Sequence, residues 1–315
     1  MGLKTAFLFP GQGSQSVGMG KDLVEGFSFA KKIFDQVDEI CGKPISSICL
    51  EGPMAELTVT DNLQPAITAV SICCMLALND AGIRADISAG HSVGEYPALV
   101  SAGIVTSYDA LRLAQKRGEL MHREALAHPG GMVAVLGMNM EGVEDLVEEA
   151  GRKGIIAIAN HNTEKQIVIT GEKEALSFAV ELAKERKAKA IPLKVSGAWH
   201  SGLMGGAFRD FREFLEGIEF SVPTGRMLFN ATASYEDDPE KIREIMARQL
   251  LSPVRWYDII NNMLAEGVRV FIEVGPKKVL SNLVGKIVPP ESDVKIFSVG
   301  DLKGLNDYLA AAGEF

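Results

Sequence analysis

The chain has 315 residues, 47% of them hydrophobic and 23% charged, a globular composition long enough for one large domain with an insert, or for two domains. Its 41 acidic residues outweigh 32 basic ones, and the net charge of −9 argues against non-specific nucleic-acid binding, which rests on neutralising phosphates. No tract is repetitive, and no apolar run reaches the ~20 residues of a membrane span.

In chain order, residues 5–9 predict a short strand, ended by Pro10 and Gly11 and feeding a glycine loop through Gln15. The run is too short for a signal-peptide core, so a cytoplasmic protein with no membrane partner is expected. Helical segments follow to about residue 82. The longest apolar stretch, 66–78, predicts a buried helix closed by Gly82. Cys41, Cys49, Cys73 and Cys74 form no C-x-x-C pair and read as reduced core thiols; neither a metal nor a cofactor is expected. Residues 86–89 predict a strand that turns at Gly90-His-Ser-Val-Gly94 into a helix over 95–101, and a further helix covers 107–127.

From Gly131 the pattern changes. Strands are predicted at 132–136, 155–159, 166–170 and 190–195, with helices at 141–150 and 173–188. The order βαββαβ predicts a small ferredoxin-like insert over 128–197, set into a large unit made of 1–127 and 198–315. Helices at 208–216 and 241–251 follow, then a strand at 268–274, a Gly275-Pro276 turn, a helix at 277–287 and a strand at 294–299. The fold class is α/β, with a mostly parallel sheet covered on both sides.

The G-x-S-x-G match at 90–94 puts Ser92 on a tight strand-to-helix turn, where its hydroxyl is exposed and a helix N-terminus offers N–H groups to an oxyanion. A serine nucleophile needs a base. Among five histidines, His200 is favoured because it lies in a loop of small residues, Ser196-Gly-Ala-Trp-His-Ser-Gly202, with His161 next. No acid completes a triad, so a backbone carbonyl could orient the base. Arg117 shares an otherwise apolar helix face with Ala110, Leu113, Ala114 and Met121. It reads either as a structural salt bridge or as a guanidinium kept for a substrate carboxylate. Gly11-x-Gly13 lacks the third glycine of a dinucleotide loop, since Ser16 stands there.

Six ordered motifs together resemble the malonyl-CoA:acyl carrier protein transacylase family over nearly the whole chain. They are Phe9-Pro-Gly-Gln-Gly-Ser-Gln15, Gly90-His-Ser-Val-Gly-Glu95, Gln115-Lys-Arg-Gly-Glu-Leu-Met121, Gly197-Ala-Trp-His200, Gln249-Leu-Leu-Ser-Pro-Val-Arg-Trp256 and Phe271-Ile-Glu-Val-Gly-Pro276. The resemblance implies a hydrolase-like core with a ferredoxin-like insert. It makes Ser92 the nucleophile, His200 the base and Arg117 the grip on a malonyl carboxylate. It assigns the oxyanion hole to the backbone N–H groups of Gln12 and Val93, and the orienting carbonyl to Gln249. It implies malonyl-CoA and an acyl carrier protein as partners, ping-pong transfer in fatty acid or polyketide synthesis, and a monomer. Val93 stands where the family often has Leu, and Trp199 where malonyl-specific members often have Phe. An esterase or thioesterase, a malonate decarboxylase subunit and a non-catalytic docking module are the rival readings. Docking of an acidic carrier would need a local basic patch, either Lys184, Arg186, Lys187 and Lys189, or Lys277, Lys278 and Lys286.

Overall fold

Among residues 3–313, which the computed structural model describes, nine strands divide between two sheets. In chain order they are β1 (Lys4–Phe9), β2 (Ile87–Gly90), β3 (Gly130–Leu136), β4 (Ile156–Thr163), β5 (Gln166–Glu172), β6 (Lys189–Pro192), β7 (Arg226–Met227), β8 (Val268–Val274) and β9 (Lys295–Val299). The first sheet, ordered β7-β2-β1-β8-β9, is parallel at every pairing. Its central strands are apolar along their length because both faces are covered. Phe7 and Phe9 of β1 point into one core with Ile272 and Val274, while Ala6 and Leu8 point into a second with Phe271 and Trp256.

The second sheet, ordered β4-β5-β3-β6, is antiparallel throughout. Its chain order is βαββαβ, with the helices Met140–Ala150 and Lys173–Glu185 contributing Val143, Leu146, Ala179 and Leu182 to its own core. The opposite face lends Met132, Ala134, Ala159 and Val168 to the main core. Beyond that packing, β4 is stitched to the large unit: Val254 N–H donates to Ala159 O at 2.8 Å, and His161 N–H to Val254 O at 2.9 Å.

The helices that position the site are the apolar one, Thr60–Asp80, and Ser107–Ala127, whose N-cap Thr106 accepts from Asp109 N–H. By length and hydropathy the former could cross a membrane, but 83% of its apolar window is buried in the protein. It starts six residues before the apolar run predicts and carries Pro65 within it. The polar residues that hide this start are themselves buried and bonded: Asn62 Nδ2–H donates to Glu56 O, and Gln64 faces Arg117. Gly118 lets the two helices meet, since a Cβ there would sit 2.9 Å from Thr60 O.

Several elements differ from expectation. β6 ends at Pro192 rather than 195: Leu193 N–H still donates to Met132 O at 2.9 Å, but Val195 N–H turns back onto Leu193 O at 3.0 Å. The helix expected at 277–287 starts at Val279, because Lys277 takes φ 63° and buried Glu273 caps the later residues Leu280 and Ser281. The helices Trp256–Ala265 and Leu302–Ala312 and the two-residue strand β7 were not expected from the sequence.

Candidate active site

The end of β2 runs into a 3-10 turn, Ser92–Gly94, and then the helix Glu95–Ser101. Ser92 sits at φ 55°, a left-handed conformation that a non-glycine residue adopts at a cost of ~1–3 kcal/mol. The flanking glycines are a steric necessity: a Cβ at Gly90 would lie 1.9 Å from Gly94 O, and one at Gly94 2.1 Å from Phe9 O. Asn230 braces the turn from outside, its Oδ1 accepting Ser92 N–H at 2.7 Å and its Nδ2–H donating to Gly90 O at 2.6 Å. Ser92 N–H is therefore already spent inside the fold.

His200, buried and at φ 59°, places Nε2 2.8 Å from Ser92 Oγ. Its Nδ1 lies 2.9 Å from Gln249 O and 3.0 Å from Ser252 O. Carbonyls only accept, so the ring proton belongs on Nδ1 and Nε2 is left bare toward the serine. Burial, helped by the Arg117 charge, pushes the imidazole down to about 3, so His200 is uncharged at neutral pH and its bare Nε2 can accept a proton. His161, the second histidine considered, packs tilted against Tyr257 instead, the ring centroids 4.8 Å apart.

Arg117 is buried, yet among the described residues no carboxylate pairs with it directly. Its Nη1–H donates to Gln64 Oε1 at 2.8 Å, its Nε–H and Nη2–H donate to Gln249 Oε1 at 3.2 and 2.9 Å, and Nη2–H also reaches Ser92 Oγ at 3.0 Å. The structural salt bridge is thus replaced by neutral amide acceptors. The nearest carboxyl in the network is Glu95, fully buried, which accepts Asn230 N–H at 2.6 Å and Gln249 Nε2–H at 2.5 Å. Burial pushes Glu95 up to about 7, against the hydrogen bonds from Asn230 and Gln249 and the Arg117 charge.

Ser92, His200, Arg117, Gln12 and Val93 all line one cavity of about 100 Å³, closed by Met121, Met132 and Trp199. Gly197 makes room for the indole, since a Cβ there would lie 2.5 Å from it. His91 also lines the cavity, but its Nε2 is hydrogen-bonded to Asn162 Oδ1 at 2.9 Å rather than to Ser92. Gln249 is present twice over, its carbonyl at His200 and its side chain at Arg117. Sequence reasoning missed Gln64, Asn230 and the side-chain roles of Glu95 and Gln249. Their partners lie 53 to 157 residues away in the chain, beyond the reach of any periodicity. Gln64 stands just before the apolar run 66–78, on the helix packed against that of Arg117, and no local pattern marks it.

The arrangement can activate a serine without an acid and hold an anion beside it. Residues 6–303 match the sequence model of the acyl transferase domain. The chain is 44% identical over 286 residues to the malonyl CoA-acyl carrier protein transacylase of Bacillus subtilis strain 168, covering 90% of each. The crystal structure of the enzyme of that name from Clostridium perfringens superposes with a TM-score of 0.93 at 37% identity, over 99% of this chain and 98% of that one. A malonyl-transacylase in complex with its type II PKS acyl-carrier protein superposes with a TM-score of 0.92 at 35% identity, over 98% and 99%.

Proposed function

The chain belongs to the malonyl-CoA:acyl carrier protein transacylase family, and on that premise we propose that this acyltransferase moves a malonyl group from malonyl-CoA to the phosphopantetheine thiol of an acyl carrier protein, through an ester on Ser92. His200 Nε2 takes the Ser92 proton as Oγ attacks the thioester carbonyl. The oxyanion is held by the backbone N–H groups of Gln12 and Val93; losing one such donor typically costs ~10²–10³ in rate. The tetrahedral adduct collapses, the C–S bond breaks, and His200 returns the proton to the departing thiolate. In the second half the carrier thiol gives its proton to His200, its sulfur attacks the ester, and Ser92 Oγ leaves reprotonated. Such ping-pong exchange needs one histidine that takes a proton twice and returns it twice, with no triad carboxylate, which suits an imidazole oriented by carbonyls.

The observation that carries the reading is the buried Arg117 guanidinium, hydrogen-bonded to Ser92 Oγ at 3.0 Å with amides rather than a carboxylate as its other partners. A planar fork in that state suits a malonyl carboxylate and has no task in a simple esterase. The serine on a strand-to-helix turn supports a hydrolase-like core over 1–127 and 198–315. The connectivity of the antiparallel sheet supports a ferredoxin-like subdomain over 128–197. The test is intact-mass spectrometry after mixing with malonyl-CoA. A malonyl adduct, absent in Ser92→Ala and discharged by holo carrier protein much faster than by water, is expected. Adduct on the Ser92→Ala chain, or discharge by water at an equal rate, would refute it.

A further inference from the structure

Glu95 takes no part in the chemistry above, yet it is fully buried three residues after the nucleophile. Its two oxygens face two donors: Oε1 accepts the backbone N–H of Asn230, and Oε2 accepts Gln249 Nε2–H. Gln249 cannot turn its amide the other way. Its Nε2–H also donates to Ser92 O at 2.9 Å, and a carbonyl only accepts. Its Oε1 faces Arg117 Nε and Nη2, which only donate. Direction therefore runs unbroken from the guanidinium, through one amide, to a carboxylate.

We propose that Glu95 is a positioning residue for the transfer: its buried charge fixes, through the Gln249 side chain, the orientation and open face of Arg117 beside Ser92. The inference rests on the Ser92 acyl-enzyme reading. A buried guanidinium needs a counter-charge, but a carboxylate set directly on it would occupy the fork that the malonyl group requires. Spacing the pair by one amide offsets the burial of both charges and leaves the substrate side free. Arg117 has five N–H donors and makes four hydrogen bonds, one of them to the reacting oxygen, so one outer N–H and the one facing Ser92 remain for a substrate.

Glu95→Gln keeps the shape and removes the charge. Its carbonyl must still accept Asn230 N–H, so its NH₂ faces Gln249. Gln249 then turns over, and its NH₂ opposes the guanidinium while its oxygen opposes Ser92 O. At about pH 8 the expected result is a ~10–100-fold fall in the ratio of kcat/KM for malonyl-CoA over acetyl-CoA. In an Arg117→Ala background the same change should move that ratio by less than ~3-fold, because the chain has nothing left to hold. Gln249→Met cuts the chain at its middle while keeping the carbonyl that His200 uses. It should reproduce the selective fall and serves if Glu95→Gln does not fold. An unchanged ratio in the folded variants, or effects that multiply with Arg117→Ala, would overturn the proposal. Intact mass on the wild type keeps the two readings apart. Without a malonyl ester the Ser92 reading fails, and this one with it. With the ester present and the ratio unmoved, only the role of Glu95 fails.

Discussion

Truncating Arg117 to alanine removes four hydrogen bonds and the guanidinium of the cavity wall, and the kinetic loss is expected to fall on malonyl-CoA. A malonyl group carries a free carboxylate beyond its thioester carbonyl; an acetyl group carries none. Two prongs of a charge-assisted pair are worth ~1.5–3 kcal/mol each, and truncating one partner of such a buried pair typically costs ~2–5 kcal/mol. At ~1.4 kcal/mol per tenfold, kcat/KM for malonyl-CoA should fall ~30- to ~4000-fold. Acetyl-CoA loses only the 3.0 Å contact that restrains Ser92 Oγ, so its kcat/KM should change by less than ~10-fold in either direction. Arg117→Lys should recover part of the malonyl rate, since an ammonium keeps the charge but not the fork. The alanine also leaves Gln64 Oε1 and Gln249 Oε1 without their donor, so Tm is expected to drop, and the assay belongs well below the lowered Tm. The decisive numbers are kcat/KM for both thioesters in wild type and Arg117→Ala. Equal losses on the two would make Arg117 a structural group and remove the physical basis for malonyl selection.

Two further expectations concern docking and pH. The basic clusters are less free than the sequence suggests: Arg186 is paired with Glu149 at 2.7 Å, and Lys277 Nζ donates to Gly13 O at 3.2 Å. Lys184, Lys187, Lys278 and Lys286 are exposed, so reversing charge within one cluster should raise KM for carrier protein and leave that for malonyl-CoA alone; unchanged carrier kinetics for both clusters would remove the hypothesis. For pH, His200 is held down to about 3 and Glu95 up to about 7, with Arg117 and Tyr96 the charged and titratable groups beside the carboxyl. Lowering pH through about 7 therefore leaves the base neutral but protonates Glu95, turning an acceptor into a donor. kcat/KM for acylation by malonyl-CoA should fall on that acid limb, and Glu95→Gln should lack it. A limb near the ordinary imidazole value of ~6.5 that survives in Glu95→Gln would assign it to His200 and contradict the reasoning.

Legibility in the sequence followed the range of the interactions. β1, β8 and the helix Ser107–Ala127 are coded by local apolar patterns, and the Ser92 turn by two glycines whose replacement would drive a Cβ into backbone. Arg117 stood out as one charge on an apolar helix face, and the structure brings it to Ser92 and His200. The helix Trp256–Ala265 was hidden because no side chain caps its start, and Thr60–Asp80 was shortened because Pro65 and four polar residues interrupt its first turns. Asp301 does cap Leu302–Ala312 through Gly304 N–H, a signal that was present and not used. Asn230, Gln64 and the amide of Gln249 were invisible for a different reason. Each is a polar residue whose meaning is its partner, and the partner is assembled only by the crossing of distant elements.

The stitching of β4 bears on how large an acyl group the cavity can take. At about 100 Å³ the cavity has the volume of roughly three liquid waters, since each occupies ~30 Å³. Asn160 lies on its wall, and the neighbours of Asn160 are tied down: Ala159 and His161 to Val254, and Asn162 to His91 beside Ser92. Moving that wall outward breaks three hydrogen bonds together, at a net cost of ~0.5–1.5 kcal/mol each. The pocket therefore behaves as a gauge of fixed bore. An acyl group larger than the bore has to displace this tied wall or the Met121, Met132 and Leu193 side chains that complete the lining.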